Sequence, residues 1–354
     1  MRFPEFTGEW EKLSLNDIVL EKKKRVSSST LTTSTYISTE NMLQNFAGVS
    51  KANGVPSNNV VEYKIGDILI SNIRPYLKKI WLANQNGGCS SDIIVLSPCE
   101  NYDGSFVYYL LANDGFVSYV MSGAKGLKMP RGDKQQILKY GISIPSLKEQ
   151  RKIAALLDLF DQRIETQKKI IEKYESLIRG LCEKLTRQGT PNKIIAECLK
   201  CHSTSLQESA VLDAGSYPVY GAIGICGYTD TPDVSGDGIL IIKDGASVGV
   251  TYFADGCYSS IGTLNRLTAK QGINLRYVYY CLKVMNFAPY KTGLAIPHIY
   301  FKDYGKHKIW CPSFEQQSRI ADALTSIDNK MHVEKSLLEQ LNSQKRYVLK
   351  QLFI

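Results

Sequence analysis

No run of about 18 apolar residues occurs in this 354-residue chain, so no membrane-spanning helix is expected. The first residues, Met1-Arg-Phe-Pro-Glu-Phe6, lack the apolar core of a secretory leader, and none is expected. The nine cysteines are scattered and odd in number, which argues against a disulfide framework and for a reducing cytoplasm. Histidine is scarce: His202, His298, His307 and His332 lie far apart and form no acid–base constellation. The phosphate-cradling pattern Gly-x-x-x-x-Gly-Lys-Ser/Thr is missing. So is the Asn/Asp-Pro-Pro-aromatic run expected of a methyltransferase acting on an exocyclic amine. The glycines at 221, 224 and 227 have the wrong spacing for a dinucleotide loop. Cys198-x-x-Cys201-His202 has the form of half a zinc site, but no second pair of matching spacing follows. No residue is therefore assigned to catalysis or to a metal.

What the chain does contain is one segment twice. Ile144-Pro-Ser-Leu-Lys-Glu-Gln-Arg-Lys-Ile-Ala154 returns 167 positions later as Cys311-Pro-Ser-Phe-Glu-Gln-Gln-Ser-Arg-Ile-Ala321. The same offset carries Asp161 to Asp328, Leu185 to Leu352, and the turn Gly126-Leu127-x-x-Pro130 to Gly293-Leu294-x-x-Pro297. An internal repeat governs the architecture before any local pattern does.

Each copy opens with a helix start. Ser146 with Glu149, and Ser313 with Gln316, have capping-box spacing, in which the hydroxyl accepts an orphan N–H and the later side chain reaches back. The apolar steps of three and four that follow are those of a coiled coil. In the first copy they run Leu157, Phe160, Ile164, Ile171, Tyr174, Ile178, Leu181, Leu185; in the second, Leu324, Ile327, Met331, Leu338, Leu341, Val348, Leu352. Gln167, Glu334 and Lys345 break the seam with polar groups. Each helix is expected to be roughly 40 residues and about 60 Å long.

The intervening segments are rich in glycine, serine, tyrosine and short β-type runs such as 66–71, 80–83, 92–96, 238–242 and 249–253. The runs 107–112 and 275–284 are ambiguous between strand and short helix. The expected fold class is α+β: two mixed α/β globules, 1–143 and 190–310, and two long helices, 144–189 and 311–354, pairing as an antiparallel coiled coil in a pseudo-two-fold repeat. Net charge is +9, modest and spread along the chain; it permits nucleic-acid binding without proving it.

The order globule, capped helix, globule, capped helix, with Pro-Ser-x-x-x-Gln-x-x-Ile-Ala opening each helix, resembles the specificity subunit of type I restriction–modification enzymes. Arg2-Phe-Pro-Glu-Phe-Thr-Gly-Glu-Trp10, Tyr36-Ile-Ser-Thr-Glu-Asn-Met42 and Tyr217-Pro-Val-Tyr-Gly221 also look like motifs of that family. The resemblance covers essentially the whole chain. It implies a non-catalytic reader of double-stranded DNA, each globule a target recognition domain for one half of an asymmetric split site. It also implies helices that set the spacing and dock modification (methyltransferase) subunits, two of them expected. S-adenosylmethionine would sit on those partners; ATP and magnesium would belong to partner subunits too, restriction subunits adding ATP-driven translocation and cleavage where a system has them. A rod of about 60 Å would reach from one helical turn of DNA to the next, roughly 34–36 Å away.

Base edges are read by arginine, lysine, asparagine and glutamine, and phosphates by lysine, arginine and hydroxyls. The DNA-binding candidates in the first globule are Arg74, Tyr76, Lys78 and Lys79, with Lys125, Lys128 and Arg131 around the glycine–proline turn. In the second they are Tyr220, Lys243, Ser247, His298, Tyr300 and Lys302. A solvated surface is the plain alternative for each of them singly. For the chain, the alternatives are a coiled-coil scaffold binding a non-DNA partner, or the specificity part of another methyltransferase or nuclease system.

Overall fold

The structure, a computed structural model, describes residues 2–126, 128–204, 206–293 and 295–353. Leu127 and Leu294, the leucines of the repeated glycine–proline turn, lie outside the described residues. The chain forms two compact units. The first takes the residues up to Thr166 together with those from Leu338 on; the second takes Gln167–Leu337.

In the first unit, Val19–Glu21, Ile93–Pro98, Ile68–Ser71 and Ile80–Leu82 form a four-stranded antiparallel sheet in that order. Its strands are nearly continuous apolar runs because both faces are covered. Ile68, Ile70, Ile94 and Leu96 face a core shared with the helix Gly104–Leu111, while Leu69, Val95 and Trp81 face a second core. That second core is closed by another four-stranded sheet, ordered Arg25–Val26, Val60–Tyr63, Gly87–Cys89, Tyr36–Ile37, whose last pair is parallel. The layers are thus helix, sheet, sheet.

The second unit repeats this plan. Leu199–Ser203, Leu264–Ala269, Gly238–Ile242 and Thr251–Ala254 make the inner sheet, with the helix Leu275–Lys283 on one face. Leu240, Ile242 and Leu264 face the other core, with Val219 and Tyr258. The outer sheet is ordered Gly224–Thr229, Tyr217–Gly221, Cys257–Ser260, Val234–Ser235, again with one parallel pair, here the central one of the sheet. Matched on that parallel pair, three strands correspond and the fourth does not. Arg25–Val26 adds to one edge in the first unit, and Gly224–Thr229 to the opposite edge in the second.

The two ambiguous runs are helices, and their caps explain why. Asp103 accepts the N–H of Phe106 at 2.9 Å and Asn274 that of Tyr277 at 3.0 Å, satisfying an orphan donor at each start. Cys198, considered above for zinc, is buried in the second unit's core, and His202 shares a hydrogen bond with Thr268 at 3.0 Å. Burial pushes the Cys198 thiol up to about 12.

The long helices are Leu147–Thr186 and Phe314–Leu352. Leu157, Ile164, Ile171 and Ile178 are buried along the first, and Leu324, Met331, Leu341 and Leu352 along the second. The start of the first helix packs with the end of the second in the first unit, where Lys345 donates to Asp161 at 2.5 Å. In the second unit, Gln167 donates to the carbonyl of Glu334 at 3.0 Å, and Lys335 pairs with Glu175 at 2.7 Å. Gln167 and Glu334 are themselves related by the 167-residue offset, so the two seam breaks meet each other.

The capping boxes are only half made. Ser146 and Ser313 accept the N–H of Glu149 and Gln316, each at 3.4 Å. The Glu149 carboxylate does not turn back to the cap; it forks with Arg2 through two bonds of 2.8 Å, where it is 1% exposed. A guanidinium offers two charge-assisted bonds where the cap N–H offers one.

The reason for the repeated glutamine is also visible. Gln150 donates to the carbonyl of Pro145 at 2.9 Å and accepts the N–H of Asp103 at 3.0 Å. Gln317 donates to the carbonyl of Pro312 at 2.8 Å and accepts the N–H of Asn274 at 2.9 Å. In each unit one buried amide therefore ties the long helix to the cap of the globule's own helix.

Candidate nucleic-acid interface

Each unit carries the same small frame. In the first, Lys125 and Arg131 exchange two backbone hydrogen bonds of 2.9 Å, closing a hairpin over the glycine–proline turn. This hairpin is fastened to the loop that leaves the inner strand Ile68–Ser71. Arg74 donates its N–H to the carbonyl of Pro130 at 2.8 Å, and Gly132 donates to that of Asn72 at 3.0 Å. In the second unit, Thr292 and His298 exchange bonds of 2.9 and 2.8 Å. Gly245 donates to Pro297 and Ile299 to Lys243, each at 2.9 Å. The backbone is thus repeated bond for bond while the side chains it carries differ.

Glycine is needed at the first turn position of both hairpins. Gly126 has φ +98° and Gly293 φ +88°, a region L side chains rarely adopt. A Cβ on Gly126 would also press on the carbonyl of Met129 at 3.2 Å.

In the first unit the frame gathers all seven basic and tyrosine candidates onto two adjoining segments. Arg74, Tyr76, Lys78 and Lys79 are on the loop and Lys125, Lys128 and Arg131 on the hairpin. Arg74, Tyr76, Lys125, Lys128 and Arg131 are exposed. Arg131 pairs with Asp92 at 3.0 Å, Lys125 with Asp133 at 3.0 Å and Lys78 with Asp114 at 2.6 Å. Exposed pairs of this kind are worth little, so these cations can exchange their partners for phosphates at small cost. Lys79 is more enclosed: it donates to the carbonyl of Thr39 at 2.6 Å, and burial, then the charge of Arg74, lowers its pKa.

Backbone strain collects at the same place. Asn45, Phe46, Arg74 and Lys78 are the non-glycine residues with positive φ among the described residues, at +56°, +59°, +51° and +55°. Asn45 and Phe46 donate to the carbonyls of Leu77 and Lys78 at 3.1 and 2.8 Å, so all four belong to one cluster. Strain of this kind gathers at functional sites, where surrounding bonds hold it. Nothing in the residue types at 45–46 announces that role beyond an asparagine that tolerates the left-handed region.

In the second unit the frame gathers Lys243 and Ser247 on the loop and His298, Tyr300 and Lys302 on and after the hairpin. His298 and Tyr300 meet edge to face at 4.9 Å, and the Lys302 ammonium lies 5.1 Å over the Tyr300 ring. Lys243 pairs with its neighbour Asp244 at 2.5 Å. Tyr220 stands apart: it belongs to the outer sheet, half-buried, in ring contact with Tyr258 at 5.8 Å and Tyr252 at 6.5 Å.

Among the described residues, no group of three or more His, Cys, Asp or Glu is placed to hold a metal ion, and no helix is long and apolar enough to cross a membrane.

Comparison with known proteins agrees with the repeat. The chain is 29% identical over 112 residues to the type I restriction enzyme EcoprrI specificity subunit of Escherichia coli, covering 32% of this chain and 28% of that protein. It is 24% identical over 280 residues to the MjaVIII specificity subunit of Methanocaldococcus jannaschii, covering 66% of this chain and 65% of that one. These matches thus span less than two thirds of either relative's length. In fold it is similar to the crystal structure of a type I restriction–modification system S subunit from M. genitalium, with a TM-score of 0.69, 20% identity, and 100% and 99% of the two chains covered. The family model for the type I restriction modification DNA specificity domain matches residues 7–176 and again 195–343, one match for each copy of the repeat, and the chain belongs to that family.

Proposed function

We propose that this chain is the non-catalytic reader of a type I restriction–modification complex, taking one half of a split double-stranded DNA site with each unit. The observation that carries this reading is the hairpin-and-loop frame, repeated in backbone and unlike in side chains. A frame of fixed geometry with exchangeable residues suits the reading of two different sequences, since phosphate contacts position a protein and base-edge contacts specify. The first frame offers arginine and lysine, the residues that pair with guanine and with phosphates; the second offers a histidine, a serine, a tyrosine and two lysines. Two unlike readers in one chain favour an asymmetric bipartite site.

The long helices are proposed to dock two methyltransferase subunits. Leu159, Leu177 and Val333 are exposed on them, at 60%, 47% and 67%, and would be covered by partners. S-adenosylmethionine would then be the partners' cofactor, and ATP and magnesium would serve restriction subunits. The test is co-expression with a cognate modification subunit, followed by genome-wide mapping of methylated adenines. The expected result is a split motif with two unlike halves and a fixed gap. A folded complex that produces no new methylation would overturn the reading in favour of a scaffold for another partner.

A further inference from the structure

Among the described residues of the two hairpins, Met129 and Ile296 share an exposed apolar character that does not suit phosphate or polar base edges. Met129 and Ile296 correspond under the repeat, and they are 49% and 66% exposed. Around them the polar residues have diverged: Lys125 faces Thr292 in the alignment, Lys128 faces Ala295, and Arg131 faces His298. We propose that Met129 and Ile296 are apolar wedges that press between adjacent base pairs, one in each half-site. The proposal rests on the DNA-reading function above and adds a deformation of the DNA to it.

The argument turns on what is kept and what is changed. Residues that tell sequences apart must differ between two readers of different sequence. A feature retained in both serves something that both half-sites undergo. A bare methionine or isoleucine gains little from a phosphate. On DNA it packs either on a thymine methyl, which is specific to sequence, or between bases, where apolar wedges unstack a step and bend the duplex. A contact kept by two readers of different sequence favours the second.

The support beneath these side chains is rigid in the way a wedge needs. The glycine of each turn faces the carbonyl of Met129 or Ile296. The next residue is a proline, whose carbonyl accepts a backbone N–H from the adjoining loop, Arg74 at 2.8 Å or Gly245 at 2.9 Å. Lys128 and Arg74 beside the first wedge, and Lys291 and His298 near the second, can take the flanking phosphates.

The test uses the full chain assembled with modification subunits and a duplex carrying the site found by methylation mapping. 2-Aminopurine replaces in turn each adenine of both half-sites other than the methylated ones, where the partners act, and fluorescent guanine or cytosine analogues that keep the pairing edge probe the remaining steps. Fluorescence is expected to rise at one step in each half-site. Met129→Ala should remove the rise in the half-site read by the first unit only, and Ile296→Ala in the other only, each weakening binding about tenfold with the motif unchanged. Met129→Leu and Ile296→Leu should retain it. A wild-type complex that binds its site with no rise at any step, or a rise that survives both alanine changes, overturns the wedge. A wild-type complex that binds no DNA overturns the reading function itself, and the wedge with it.

Discussion

Gln150 and Gln317 each tie two helix starts together through a single side-chain amide. Each is almost fully buried, and each bridges a carbonyl at its own helix start to the first N–H of another helix cap. Leucine would fill the volume and leave both backbone groups dry and unpaired. Gln150→Leu is therefore expected to cost about 1–3 kcal/mol of unfolding free energy, read from urea denaturation, and to loosen the helix Gly104–Leu111 in hydrogen exchange. A variant as stable as the parent would show that water replaces the amide. Thiols give a second expectation at this scale. Burial pushes Cys89, Cys182, Cys198 and Cys281 up to about 12. Burial both closes off these four thiols and disfavours their thiolates, so they should escape alkylation in the native protein. Rapid labelling of any of them by iodoacetamide, followed by peptide mapping, would contradict their placement in the cores.

At the scale of elements, the helix start shows how a local motif is redirected by its surroundings. Ser146 caps as its spacing predicts, but Glu149 serves Arg2, a residue 147 positions away in sequence. Ser146→Ala should cost about 1 kcal/mol, the usual worth of an N-cap. Arg2→Ala should lower the melting temperature by stranding a buried carboxylate, and Lys at the same position should restore only part of it, because an ammonium cannot fork. Equal melting of Arg2→Ala and the parent would show that the fork carries no stability. The short helices teach the complementary lesson. Periodicity alone does not decide 107–112 and 275–284; Asp103 and Asn274, which cap the two helix starts, do.

For the molecule as a whole, the readers should be separable by mutation. Arg131→Ala, if Arg131 reads a base, should relax one position of one half-motif in the methylation map and leave the other half intact. Lys128, which makes no ion pair among the described residues, is expected to touch phosphate instead. Lys128→Ala should then weaken binding to all sequences alike and reduce the slope of log affinity against log salt by about 1. Loss of sequence preference in both halves from either change would mean that the two units do not read independently. Much of this organisation was legible in the chain. The 167-residue offset, the proline–serine starts and the seams from Leu157 and Leu324 are local in sequence and survive as two long helices. Residue type beside glycine turns is what points to the candidates on the two frames, from Arg74 to Arg131 and from Lys243 to Lys302. The same signal points to Tyr220, which lies in the outer sheet instead, because a strand and a turn rich in tyrosine look alike until their pairing is known.

The sequence by itself determined the repeat, the helix starts and the periods of the seams, since each depends on residues within a few turns of one another. Only the tertiary structure decided which distant segments meet. The loop after Ile68–Ser71 is joined to the hairpin some 50 positions on, the Gln150 amide closes on Asp103, and one extra strand attaches to opposite edges of the two outer sheets. These depend on backbone hydrogen bonds between segments far apart in the chain. Every residue but proline carries the same donor and acceptor, so such pairings leave little trace in side-chain type.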